Sequence, residues 1–459
     1  MKVAEKLAEF CWSLTYGNFS PEVITKVKEL ALDFIGVAAR GSLTDSARAA
    51  RRMVEEMGRP QGEGVLIGAE GRAPFYLSAF SNGVAAHSLE LDDVNNESSL
   101  HPGAVIFPVA FAMGEFTRCD GRRFIEGVVS GYEVMVRLGE ALRPARHYAR
   151  GFHPTGTCGA FGAAATASRV LGLGPEETVN ALGIAGSQAS GLMEFLATGA
   201  WTKRMHPGWA ASAGIVASLL GKAGFTGPST VIEGRFGFLR SYSDGPDPER
   251  VLKDLGAPLK VMRTSLKPHA CCRYKQGPID GILKIMGENG LRADEIERVE
   301  VGMLGAGMPI VAEPAELKYN PRTVVDAQFS MPFGAAVAIL YGRASIDEYT
   351  QERIASEEVK EMMRRVSCIH EPELDEEYPE RWPATVRIRT RDGREFFTKV
   401  NYPKGDPENP LSWEELVEKF RYLTSPVYSE GKREEIISRV RSLEAEEDIS
   451  DFTALLGRG

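Results

Sequence analysis

The sequence predicts a mainly α-helical protein with an α+β insert: a large all-helical domain plus a smaller α+β lid domain. Three observations predict it. Apolar residues recur at helical spacing through much of the first half, convincing strand alternation begins only after residue 260, and helical patterning returns from Ser412. The expected boundaries are a first helical part over residues 1–266, the α+β lid over 267–404 and a helical return over 405–459. A chain of 459 residues is long enough for two or three domains and a large buried core.

From Pro21 to about Arg40, Val23, Ile24, Val27, Leu30, Ala31, Phe34, Ile35 and Val37 fall on one helical face. Ser20 offers an N-cap, Pro21 suits the first helical position and Gly41 stops the run. Similar patterns occupy Thr44–Met57, Ala73–His87, Phe124–Leu142, Pro175–Ser187 and His206–Gly221. A further helix, Gly156-Thr157-Cys158-Gly159-Ala160-Phe161-Gly162-Ala163-Ala164-Ala165, is built of small residues that let helices approach closely. Much of the glycine excess (48 residues) is assigned to such packing. After Lys267, Arg298–Met303 and Ala384–Thr390 alternate as strands, and Asp392-Gly393 turns the second into Glu395–Val400. Gly277–Gly287, Asp326–Tyr341 and Ser356–Val366 read as helices among them. Ser412-Trp413-Glu414-Glu415 is a capping box that opens the C-terminal helices.

Composition excludes several classes. A net charge of −9 argues against a nucleic-acid binder held by a positive field. Six scattered cysteines without a CxxC argue against a disulfide scaffold, a zinc ribbon or a thioredoxin-type site. Apolar runs such as Trp209–Gly221 fall short of the roughly 20 residues that span a bilayer, and the charged start Met1–Lys6 lacks the apolar core of a signal peptide. The expectation is a cytoplasmic protein without membrane or nucleic-acid partners. Gly156, Gly159 and Gly162 are spaced GxxGxxG with no preceding strand, so they are not a dinucleotide loop.

Chemistry concentrates in four polar segments punctuated by Gly and Pro. Asn82–Gly103 holds His87, Glu90, Asp92, Asp93, Asn95, Asn96, Glu97 and His101; Gly151–Gly156 holds His153 and Thr155; Trp201–Gly208 holds Lys203, Arg204 and His206; Lys267–Lys275 holds Lys267, His269, Cys271, Cys272, Arg273 and Lys275. Singly, each has a bland reading as loop, cap or surface charge. Together they suit a carboxylated substrate, with Lys and Arg to hold carboxylates and His with Asp or Glu to move a proton.

At these residues the chain resembles the MmgE/PrpD family. The resemblance rests on Asn82-Gly83-x3-His87-Ser88-Leu89-Glu90-Leu91-Asp92-Asp93, His101-Pro102-Gly103, Gly151–Thr155, Thr202–Ala211 and Lys267-Pro268 with Cys271-Cys272-Arg273-Tyr274, in that order. It implies an all-helical domain closed by an inserted α+β lid, a homodimer, no metal or organic cofactor, and an active site in the cleft between domains. It places His101, His153 and Lys203 on family active-site positions, with Glu90 where the family usually carries Asp in an Asp-Phe-Asp-Asp run. Two departures stand out. Many relatives have Thr-His where this chain has Lys275-Gln276, and cis-aconitate decarboxylases carry a catalytic lid histidine near the position of Cys272. Their lid tyrosine aligns around Met331. Both departures weaken a decarboxylase reading, and only His269 lies near the missing histidine.

The expected function is a cofactor-independent lyase on a small di- or tricarboxylic acid, most like 2-methylcitrate dehydratase. One of His101 and His153 would abstract the proton alpha to a carboxylate and the other serve as acid. Lys203 and a helix N-terminus near His153 would stabilise the developing charge, and Glu90 and Asp93 would orient or raise the pKa of a histidine. Arg273, Lys275, Lys267, His206, Thr155 and Cys272 complete the expected substrate-binding set. Alternatives are an epimerase of an imino- or other dicarboxylate (iminodisuccinate epimerase-like), a decarboxylase, a metal-dependent hydrolase using His87, Asp92, Asp93 and His101, and a non-catalytic carboxylate binder.

Overall fold

A computed structural model of the chain describes residues 2–57 and 63–458. The principal helices of the first half are α1 (Pro21–Gly41), α2 (Phe75–His87), α3 (Gly103–Thr117), α4 (Gly121–Leu142), α5 (Pro154–Leu171) and α6 (Thr202–Lys222). The insert holds α7 (Gln276–Glu288), β1 (Ile296–Met303), α8 (Met331–Tyr341), β2 (Val366–His370), β3 (Ala384–Thr390) and β4 (Glu395–Val400), and α9 (Trp413–Thr424) follows it. The mainly helical class with a small mixed sheet is as the sequence predicts. The sheet runs β2-β1-β3-β4, with β1 and β2 parallel and the other neighbours antiparallel.

Pro21 opens α1, although the Ser20 hydroxyl makes no capping bond. Ser412 does cap α9: its Oγ accepts from Glu415 N at 3.1 Å while the Glu415 carboxylate accepts from Ser412 N at 2.7 Å. Three expectations shift. The helix expected over 326–341 is two, Val324–Gln328 and α8, because Pro332 has no N–H to continue the first. Ser330 caps the second, accepting from Phe333 N at 3.2 Å. The helix expected over 356–366 stops at Arg364, and β2 begins at Val366. Helix α3 is absent from the periodic patterns because it is apolar on every side. Val105, Ile106, Phe107, Val109 and Ala110 are all buried, so no polar face marks its period.

The apolar interior forms two main bodies. One gathers the helices of the first half together with Leu416, Phe420, Ile436, Ile449, Phe452 and Leu456 from the last fifty residues. The other lies in the insert, around Ile279, Val299, Phe333, Val359 and Val386, and takes in Val37, Leu89, Leu91, Phe195 and Leu423 from outside it. The residues that join the two bodies flank the polar loop after α2.

Small residues set the spacing of the helices that carry the polar loops. A Cβ on Gly83 of α2 would lie 2.7 Å from Gly208 Cα of α6, and one on Gly208 would lie 2.3 Å from the Phe80 carbonyl oxygen. These backbones therefore touch, five residues beyond Lys203. We expect Gly208→Ala to lower unfolding stability by about 2 kcal/mol, as overpacking of a backbone contact does. Gly287→Ala, whose Cβ would meet nothing within 4 Å, should be neutral or stabilising by up to about 1 kcal/mol. Urea denaturation of both variants checks the contrast.

Candidate active site

The polar segment after α2 descends into the interior instead of crossing the surface. His87 ends the helix, and residues 88–102 return to start α3 at Gly103. Two non-glycine residues of this loop adopt left-handed backbone, Glu90 (φ 55°) and Ser99 (φ 52°), a conformation that must be held by its surroundings. Much of the holding is polar. Val94 and Asn95 pair with Ser265 and Thr264 at the entrance to the insert, and Asn95 Oδ1 accepts from Ser98 N at 3.0 Å. Lys267 Nζ donates to the Glu90 carbonyl at 2.8 Å, and Gln328 Nε2 to the Leu89 carbonyl at 2.9 Å.

Around this loop a cavity of about 40 Å³ lies between the helical body and the insert. That is room for a water or two, so an acid of citrate size enters only if the insert moves outward. Glu90, His101, His153, Lys203, Cys272 and Arg273 line it, joined by Ser99, Tyr148, Phe195, Tyr274, Phe329 and Trp382. Each comes from a different local device. His153 is the N-cap of α5 with Pro154 behind it, and its N–H donates to the Gly191 carbonyl at 3.0 Å. Lys203 and His206 lie three apart in the first turns of α6 and so share a face. Arg273 projects from a single 3₁₀ turn in the insert and is fixed by Asp406 Oδ1 at 2.5 Å and Asn96 Oδ1 at 2.9 Å.

Four imidazoles cluster here. The His87 ring is 5.1 Å from that of His101 and 5.7 Å from that of His153, which is 5.2 Å from His206. His101 Nδ1 is 2.6 Å from the Asp93 carbonyl oxygen, which can only accept, so Nδ1 carries the proton and Nε2 keeps a lone pair. His153 and His206 meet Nδ1 to Nδ1 at 3.0 Å, so one donates to the other. His87 Nδ1 meets Asp92 Oδ2 at 2.6 Å, leaving its buried Nε2 without a partner. Burial pushes His101, His153 and His206 toward the neutral form: His101 is held down at about 3 despite Asp92, His206 at about 4, and His153 well below the usual range, where His206 and Lys203 add repulsion.

The carboxylates are held the other way. Burial alone would raise Glu90, yet Lys203, Lys267 and His87 outweigh it and hold the carboxyl at about 2. Its partner at closest range is the Lys203 ammonium. Asp92, facing burial against His87, His101 and Lys267, is held well below the carboxylate range. Asp93 is pushed up to about 7 by burial, against hydrogen bonds from Tyr132 Oη (2.6 Å) and Gly103 N (2.8 Å).

The structure brings together His101, His153, Lys203, Glu90, Arg273 and Cys272, and corrects the remaining expectations. Asp93 does not present its carboxylate to a histidine: the chain bends at Asp92, whose carboxylate takes that place, while that of Asp93 meets Tyr132 and Gly103 N. His206 stands behind His153, and Thr155 Oγ1 accepts from His101 N at 3.1 Å, so both support imidazoles instead of lining the cavity. Lys267 braces the Glu90 carbonyl and lies 3.6 Å from Asp92 Oδ1. Lys275 points away from the cavity: the 3₁₀ turn sends it into the insert's core, where Nζ donates to the Ala327 carbonyl (2.9 Å) and Tyr349 Oη (3.1 Å). His269 also faces elsewhere, with Nε2 2.9 Å from Asp280 Oδ1. The sequence reading gave Asp406, Tyr148 and Trp382 no role, and Asp92 one only as a candidate metal ligand. Asp92 shared the run already singled out, while Asp406 stood in the turn Lys404-Gly405-Asp406-Pro407, whose carboxylate nothing in sequence links to Arg273. Among the described residues no group of three or more His, Cys, Asp or Glu is arranged to hold a metal ion.

Comparison with known proteins agrees with this layout. The profile of the MmgE/PrpD N-terminal domain matches residues 5–251 and that of the MmgE/PrpD C-terminal domain residues 269–445. A cis-aconitate decarboxylase-like protein, oryM, of Aspergillus oryzae is 28% identical over 99% of this chain and 97% of its own length. The cis-aconitate decarboxylase of Homo sapiens is 27% identical over 99% of this chain and 94% of its own. A mitochondrial 2-methylcitrate dehydratase of Yarrowia lipolytica is 23% identical over 36% of this chain and 32% of its own. With both domain profiles covering nearly all of it, the chain belongs to the MmgE/PrpD family.

Proposed function

We propose that this protein is a lyase of the MmgE/PrpD type that acts on a small di- or tricarboxylic acid by removing a proton alpha to a carboxylate, without a cofactor. The observation that carries the proposal is the meeting of His101, His153 and Lys203 in one buried cavity, where burial favours the neutral form of both imidazoles. His101 Nε2, with its lone pair free, is the base. His153 serves as acid toward the departing group, its tautomer set by His206. Lys203 stabilises the charge that grows on the substrate carboxylate as the proton leaves, and Arg273 holds a second carboxylate from the lid. The three cations Lys203, Lys267 and Arg273 are each matched by a carboxylate of Glu90, Asp92 or Asp406. A substrate polyanion therefore competes with Glu90 and Asp406 or raises the histidine pKa values as it binds.

Within that class, elimination of water, as in a 2-methylcitrate dehydratase, fits the geometry. Both imidazoles of the cavity come from the helical body, and no histidine of the insert lines it. Decarboxylation is the second reading, supported by the end-to-end similarity to cis-aconitate decarboxylases and requiring a proton donor for the carbon that loses CO₂. The resemblance also implies a homodimer. What supports the dimer is an apolar stripe on α6, where Met205, Trp209, Val216 and Leu219 are 37–49% exposed along one face.

Incubation of 2-methylcitrate, citrate, cis-aconitate and aspartate-like diacids in deuterated buffer, read by NMR, tests the chemistry. Deuterium alpha to a carboxylate with loss of water supports the dehydratase, exchange with stereoinversion alone an epimerase, and CO₂ with a five-carbon unsaturated diacid the decarboxylase. No exchange or turnover of any acid would sink the proposal. His101→Gln and His153→Gln should each lower turnover by about 100-fold or more. The pH profile has a definite sign. A lowered histidine pKa keeps the basic form present at lower pH, so kcat/KM, corrected for the substrate's own ionisation, should stay flat below pH 6.5, the ordinary histidine value, and fall only toward about 3. An acid limb centred near 6.5 would contradict the assignment of His101 as base. Trp209→Glu should shift the sedimentation coefficient to that of a monomer.

A further inference from the structure

A second, larger cavity of about 520 Å³ lies on the far side of the wall from the active cavity, within the range of small-molecule sites. The wall is one residue thick in three places. Leu89, Arg204 and Gln328 face the larger cavity, while their chain neighbours Glu90, Lys203 and Phe329 face the smaller. Most of the larger cavity is apolar, with Leu43, Leu89, Val325 and Ile346 on its sides.

Its charged feature is Arg204. The residue is 7% exposed, lies in the first turn of the 21-residue helix α6, and has no carboxylate within ion-pair distance among the described residues. Of its five N–H donors, one is used, by Ser46 Oγ at 3.1 Å. A guanidinium taken out of water with so few partners is costly unless an anion joins it. The acid on the cavity's edge, Asp45, is turned to solvent and paired with Arg48 at 3.2 Å. A single inward cation, with Leu43, Leu89, Val325 and Ile346 among neutral polar groups elsewhere, matches a molecule with one carboxylate and a short hydrocarbon body, and mismatches a polycarboxylate, whose further charges would find no second cation. We propose that this cavity is a second anion site, which takes a small monocarboxylic acid with a short apolar chain.

Calorimetric titration of the whole protein with hexanoate, and with hexanol in parallel, tests this without any turnover, so its outcome is separate from that of the lyase assignment. Hexanoate should bind at one site per chain and hexanol at least about tenfold more weakly. Arg204→Met should weaken hexanoate by about tenfold or more, and His153→Ala should leave it unchanged. Ile346→Trp, which fills the cavity while keeping Arg204, should abolish binding in a protein whose circular dichroism matches the wild type. Absence of saturable binding to the wild type overturns the proposal. So does wild-type affinity in either Arg204→Met or Ile346→Trp, or loss of binding in His153→Ala, which would place the probe in the active cavity.

Discussion

Six formal charges are taken out of water within one small volume, and the surrounding fold answers that constraint. Each buried ion costs several kcal/mol to desolvate, and these six offset that cost by pairing with one another. Glu90 with Lys203, Asp92 with Lys267 and Asp406 with Arg273 therefore bind the segments on which they stand. The pairs draw on the loop after α2, the start of α6, the start of the insert and the turn that follows it. The catalytic geometry and the attachment of the insert are thus the same set of contacts.

The helices meet this demand through their small residues. Gly83 against Gly208 lets α2 and α6 touch, which places His87 and Glu90 at the end of one helix beside Lys203 and His206 at the start of the other. Larger side chains would add apolar burial but part the helices, and the Lys203–Glu90 pair would open. Left-handed backbone at Glu90 is the local strain this arrangement carries, and it falls on the residue whose carboxylate meets Lys203.

Much of this was legible in the sequence, because period, cap and turn signals are local. The Asp392-Gly393 hairpin and the Ser412 capping box stand where their residues predict. The four polar segments do converge, since Gly and Pro among titratable residues mark loops that are built for more than connection. What escaped was decided by tertiary packing. Helix α3 hides its period by being buried all round. Asp92 and Asp93 are indistinguishable as neighbours, and only the bend of the folded loop gives one to the histidines and the other to Tyr132. Lys275 read as a substrate cation because it follows Arg273 by two, yet a 3₁₀ turn sends it to the opposite side.

Lys419 of α9 ties these parts together from far along the chain. Its Nζ donates to Asp33 Oδ1 of α1 at 2.5 Å, to the Lys267 carbonyl at 2.7 Å and to the Leu91 carbonyl at 3.4 Å. Asp33 is buried, and burial pushes its carboxyl up, with this ammonium pulling the other way. A ribosome has therefore polymerised nine-tenths of the polypeptide before the backbone beside Glu90 gains its last anchor. Nascent chains halted short of that lysine would carry every side chain of the candidate site without the tie that joins their segments.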